Sequence, residues 1–96
     1  MAAYYITHRV TEGDAEVMAL YSSKVNATFA PYGGEKIVRT SDFDVMEGDW
    51  HPDRMTIIRF PDMESLKGWY NGPEYADLKV MRHSVMKSNA IAVTGI

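Results

Sequence analysis

Apolar and polar positions alternate with a period of two over residues 4–10, YYITHRV. Tyr4, Ile6, His8 and Val10 share one face there, and Tyr5, Thr7 and Arg9 the other, which predicts a strand. The period then lengthens. From Glu12 to about Ala30, Val17, Leu20, Tyr21, Val25 and Phe29 recur three and four apart. That spacing predicts an amphipathic helix, capped by Thr11 with Asp14 completing an approximate capping box, and ended by Pro31 and Gly33-Gly34. EKIVRT at 35–40 returns to alternation, which Phe43, Val45 and Glu47 continue past a bulge at Ser41-Asp42. RMTIIRF at 54–60 is the clearest strand. Asp62 is a helix N-cap, Leu66, Trp69 and Tyr70 form the inner stripe that follows, and Gly72 is expected at C′. Pro73 opens a further helix carrying Tyr75, Leu78, Met81 and Val85 inward, and NAIAVT at 89–94 closes the pattern as a strand.

The order β-α-β-β-α-β, with the second helix broken at Gly72-Pro73, predicts an α+β, ferredoxin-like fold: a four-stranded antiparallel sheet with its helices on one face. The other face then needs a cover of its own. Within 54–60, Met55 and Ile57 alternate against Thr56, Ile58 and Phe60, so both faces carry large apolar groups, as in sheets buried on both sides. The cover expected is a second copy of the chain, two sheets packing face to face as a homodimer.

Ninety-six residues make one domain, residues 1–96, with a core thin enough that burial against a second copy is a plausible source of stability. The formal net charge is −3 and no basic run exceeds two residues, so no nucleic-acid partner is expected. Cysteine is absent, which removes disulfides, thiolate metal sites and cysteine nucleophiles. MAAYYITHRV has no basic segment followed by an apolar one, and no apolar stretch approaches the roughly 20 residues of a membrane span, so a cytoplasmic location without membrane contact is expected.

Candidate chemistry is sparse. His8, His51 and His83 lie far apart in sequence, no metal-ligand spacing occurs, and neither metal nor cofactor is expected. Serine-nucleophile and phosphate-loop signatures are missing. His8 is a packed or dimer-face residue, or else a general base pointing into a pocket; His51 is the second candidate base. In EGDWHPDR, residues 47–54, Trp50 at a hairpin tip costs about 2 kcal/mol if nothing covers it. Helices, a second subunit or a ligand are the alternative covers, and Arg54 is placed to pair Asp49 or Asp53. Glu47 and Asp49 read as solvated turn residues. Arg82 shares a helix stripe with Tyr75 and Leu78; it needs either a rim position where it can snorkel or an anionic partner, which is an acidic side chain of the protein or else a carboxylate or other anionic ligand.

YGGE at 32–35, EGDW at 47–50, PDR at 52–54, IRFP at 58–61, WYNGPEY at 69–75 and Arg82 together resemble the DUF1330 family over about Tyr4 to Val93. That family comprises small proteins of unknown function in the dimeric α+β barrel superfamily. The resemblance implies a ferredoxin-like subunit paired into a barrel and no settled activity. Relatives in the wider superfamily include cofactor-independent and haem-degrading monooxygenases, chlorite dismutase, muconolactone isomerase and effector-binding domains of transcriptional regulators. They bind flat or hydrophobic ligands between helices and sheet. No catalytic motif transfers from them residue by residue; the family pattern marks Trp50, Arg54, Tyr70, Tyr75 and Arg82 as ligand-binding positions.

The expected function is therefore binding of a small hydrophobic or aromatic anionic molecule in a cleft between sheet and helices, with cofactor-independent oxygenation or isomerisation as the chemistry if there is one. A non-enzymatic, stress-associated or regulatory dimer is the alternative. A cavity of about 300 Å³ beside Tyr75 and Arg82 favours the first, and a filled interior the second.

Overall fold

A computed structural model describes residues 1–11 and 13–96, Thr11 by its backbone only. Strands β1 (Ala3–Thr11), β2 (Glu35–Thr40), β3 (Arg54–Phe60) and β4 (Lys87–Thr94) form one sheet in the order β2-β3-β1-β4, every neighbour antiparallel. Helices α1 (Ala15–Phe29), α2 (Met63–Tyr70) and α3 (Pro73–Val85) complete the expected ferredoxin-like α+β arrangement.

Register divides β1 and β3 cleanly. Tyr5 lies opposite Ile58, Thr7 opposite Thr56 and Arg9 opposite Arg54, all on the helix side. Opposite them, Tyr4, Ile6 and His8 pair with Arg59, Ile57 and Met55 on the outer face. The core lies on the helix side, where Trp69, Tyr75 and Phe60 are wholly enclosed beside Leu66, Phe29 and Tyr5. The outer face stays largely bare: Ile91 is 60% exposed.

Three expectations are corrected. The N-cap of α1 is Asp14, whose Oδ1 accepts from Glu16 N (2.9 Å) and Val17 N (3.1 Å), so the helix begins at Ala15; Glu12 lies outside the described residues. Leu20, assigned to the inner stripe, is exposed, and Thr28 is buried in the helix interface instead. The alternation at Phe43, Val45 and Glu47 forms no strand, because β2 is already the edge of the sheet and its one neighbour, β3, begins only at Arg54. Gly72 stands at C′ after the C-cap Asn71, as expected, with φ −85°; glycine fits there because a Cβ would lie 2.5 Å from the Gly68 carbonyl oxygen.

The connection from 41 to 53 crosses toward β1. Asp53 N donates to Arg9 O (2.8 Å), and the Asp53 carboxylate takes the Arg9 Nε and Nη2 at 2.7 Å each, which fixes the base of the loop. Asp53 therefore meets Arg9, while Asp49 bonds His51 (2.6 Å).

Candidate functional site

A cleft opens between α1, the end of α3 and the helix side of the sheet. Five of the ten Lys and Arg side chains line it: Arg9, Lys36, Arg39, Arg54 and Arg82. No described carboxylate lies on its wall, so a chain of net charge −3 gathers positive charge here. Met18, Val25, Ile58 and Met86 supply apolar walls, and Thr7 and Thr56 lie on the sheet floor.

Arg82 is the side chain that defines the site. It is 3% exposed, Nη2 donates to the Tyr5 hydroxyl (3.1 Å) and lies 3.3 Å from His83 Nε2, and Nε has no partner. A buried guanidinium with an unused donor is costly, because desolvation of a charge is offset only by bonds made to it. At 3% exposure Arg82 does not occupy the rim position that would let it snorkel, and no described acidic residue pairs with it. Thr7 Oγ1 is also buried without a partner beside the same cleft. Arg9 is compensated by Asp53; Arg54 makes contacts of its own.

Lys36 shows the crowding of charge. Its pKa is held below the ordinary lysine value, first by burial and then by the Arg39 and Arg54 guanidiniums. Burial, more than any neighbour, pushes the Tyr5 hydroxyl up to about 12 and raises Tyr21 and Tyr75 as well. All three phenols are thus protonated near neutrality. Tyr21 lines the cleft and shares a 2.8 Å hydrogen bond with the Tyr75 hydroxyl, so Tyr75 supports that wall from behind.

Of the sequence-predicted positions, the structure brings Arg54 and Arg82 together on the cleft, and Tyr70 and Tyr75 together as a ring pair 6.0 Å apart. Tyr75 is fully buried in the core. Tyr70 lies on a separate open groove of about 470 Å³ between α2 and β4, with the Lys79 ammonium 4.2 Å above its ring. Trp50 packs edge-on against His8 on the outer side of the sheet, ring centroids 5.8 Å apart, and remains 48% exposed. His8 also meets Asn89 (3.1 Å), its Nδ1 buried without a partner, and His51 is exposed. Neither candidate base reaches the cleft, whose volume, about 70 Å³, does not reach the 300 Å³ expected of the binding reading and excludes a drug-sized ligand, although the interior beside Arg82 is not filled either.

Lys36 and Arg39 were missed by sequence reasoning. Three positions apart, they belong to opposite faces of a regular strand. A register shift between Lys36 and Val38 absorbs one residue, so Lys36 meets Ile58 and Arg39 meets Thr56, both on the helix side. The only hint was two cations in so short a strand.

Several solved structures share this fold. The RPA0582 protein of unknown function from Rhodopseudomonas palustris superposes with a TM-score of 0.78 at 17% identity, covering 99% of this chain and 82% of that one. A dimeric ferredoxin-like protein of unknown function from Jannaschia sp. CCS1 gives 0.77 at 10% identity, covering 99% and 100%. SnoaB, a cofactor-independent oxygenase from Streptomyces nogalater, gives 0.63 at 16% identity, covering 99% and 92%. Comparison with curated protein sequences finds no match. The model of the domain of unknown function DUF1330 matches residues 2–96, nearly the whole of the fold just described, and the chain belongs to the DUF1330 family.

Proposed function

We propose that this protein is a homodimer that binds a small anionic organic molecule in the cleft beside Arg82. One observation carries the binding reading: a guanidinium 3% exposed, with Nε unpartnered, on the wall of a cleft that no described carboxylate lines. An anion there would satisfy a charge-assisted donor that the chain leaves unused, an interaction worth about 1.5–3 kcal/mol. The narrow cleft favours a ligand of few heavy atoms, or the charged end of a larger one.

The dimer reading rests on the outer face. Ile6, Ile57, Val38 and Ile91 stand there, on the side opposite the helices, and a second sheet is the cover that its two-sided apolar pattern asks for. The Jannaschia protein, described as dimeric with the same fold, supports this reading.

Catalysis is a second reading, favoured by His8 alone. Its Asn89 contact, the Trp50 ring and an unpartnered Nδ1 set a titratable group on the face that a second copy would enclose. Proton transfer, isomerisation or cofactor-free oxygenation belongs to that enclosed space, and the oxygenase SnoaB supports the fold's capacity for such chemistry.

The test of binding is thermal stabilisation by a panel of small carboxylates, repeated with Arg82→Met. Stabilisation lost in the variant supports the reading. Stabilisation retained in full overturns the assignment of Arg82, and no stabilisation by any anion overturns the binding role.

A further inference from the structure

The two sets of cations in the cleft come from well-separated elements. Lys36 and Arg39 project from β2, and Arg82 reaches in from α3 to the Tyr5 hydroxyl on β1. In the order β2-β3-β1-β4, β1 lies two strands from β2, about 10 Å between strand axes at ~4.8 Å per step. Between them runs a row of hydroxyls: Arg39 lies beside Thr56, and Thr56 beside Thr7, whose buried Oγ1 is unpartnered. We infer that the cleft selects a small organic dianion with two separated carboxylate-type groups, Arg82 holding one end, Lys36 and Arg39 the other, and Thr7 and Thr56 the span between.

This rests on the binding role proposed for the same cleft and names what that site prefers. Charge decides between a monoanion and a dianion. Asp53 neutralises Arg9, and Arg54 has contacts of its own, but no described carboxylate pairs with Lys36, Arg39 or Arg82. One carboxylate satisfies one end of this arrangement and leaves the other as crowded as before. The depressed pKa of Lys36, caused by burial and then by Arg39 and Arg54, marks the end where a second anionic group relieves like-charge repulsion. Spacing decides between two carboxylates and one compact dianion such as phosphate. A compact ion meets one wall at a time, while two groups several ångströms apart meet both. The shallow volume, about 70 Å³, restricts the ligand to a short chain.

Succinate and butyrate isolate the second charge, since both have four carbons. Inorganic phosphate is the compact dianion. Calorimetric titration of the intact protein at low salt is expected to give succinate a Kd at least about tenfold below that of butyrate, the effect of one added charged hydrogen bond. In the Lys36→Gln/Arg39→Gln double variant, both positions being at the rim rather than in the core, that advantage disappears: succinate and butyrate then bind with Kd values within about twofold of each other. Equal Kd values for succinate and butyrate, both lost in Arg82→Met, overturn the dianion inference and leave the binding role standing. Phosphate binding more tightly than succinate overturns the separation of the two groups. Absence of binding by all three probes, with the protein folded, overturns the inference together with the binding role.

Discussion

Arg82 Nη2 lies 3.1 Å from the Tyr5 hydroxyl, joining the last helix to the first strand across 77 positions of sequence. The bond satisfies the phenol and only part of the guanidinium. Function and stability therefore diverge at this pair. Tyr5→Phe strips a buried charge of its one phenolic acceptor and is expected to cost about 2 kcal/mol in a urea melt. Arg82→Met removes the charge as well as its demand, and is expected to fall within about 1 kcal/mol of the parent or above it. The double variant should resemble Arg82→Met alone; a double variant as unstable as Tyr5→Phe would show that packing, not the bond, sets the cost.

Alkaline pH is expected to unfold the protein through its buried phenols. Tyr5 titrates at about 12 in the folded chain, and Tyr21 and Tyr75 are also raised above the ordinary value of 10.0. A raised folded pKa leaves stability intact below pH 10 and drains it as pH rises toward 12, because the unfolded chain releases its proton first. Each such tyrosine contributes up to about 1.4 kcal/mol per pH unit. Lys36, held low, works in the opposite direction, but it is one group against three. Melting temperature should drop steeply above pH 10, and Tyr75→Phe should flatten the slope.

The Trp69 indole tests the core. Its Nε1 donates to Thr28 Oγ1 (3.0 Å), which in turn donates to Val25 O (2.6 Å), while Tyr75 lies against the ring at 4.4 Å between centroids. Thr28→Val keeps the volume and strands the indole N–H, at an expected cost of about 1–3 kcal/mol. Trp69→Ala, which opens a large cavity, should cost about 3–5 kcal/mol. Denaturant midpoints for the two variants check the order.

Ile57, in the middle of β3 on the outer face, lies opposite Ile6. Ile57→Lys is expected to convert a dimer of about twice the 10.9 kDa chain mass into a monomer in light scattering at micromolar concentration, with the secondary structure kept. A parent protein already at 10.9 kDa would remove the dimer from the proposal.

Much of the fold was legible because its signals are local. Alternation marked β2 and β3, Asp62 capped α2 through a 2.7 Å bond to Ser65 N, and Gly72-Pro73 broke the second helix where expected. Alternation at Phe43 and Val45 misled because strand pairing depends on a neighbour, which no local pattern reports. The site was harder. Arg82 was found as a cation on an apolar stripe, yet Lys36 and Arg39 converge only through a register shift that the residues of β2 do not announce. Aromatic positions at 50, 70 and 75 read as one pocket in sequence, but only two of them meet: Tyr70 lies at the edge of the core with its ring 6.0 Å from that of Tyr75, while the topology sends Trp50 to the outer face.

The sheet keeps its two tryptophans on opposite sides: Trp69 in the apolar interior and Trp50 half in solvent beside the His8 ring. Each side thereby carries its own fluorophore. Trp69 should emit in the blue and resist acrylamide, reporting on the fold, whereas Trp50 should emit to the red and be quenched readily while the outer face is open. A single emission spectrum can then follow unfolding and coverage of the outer surface as separate events, with no label added.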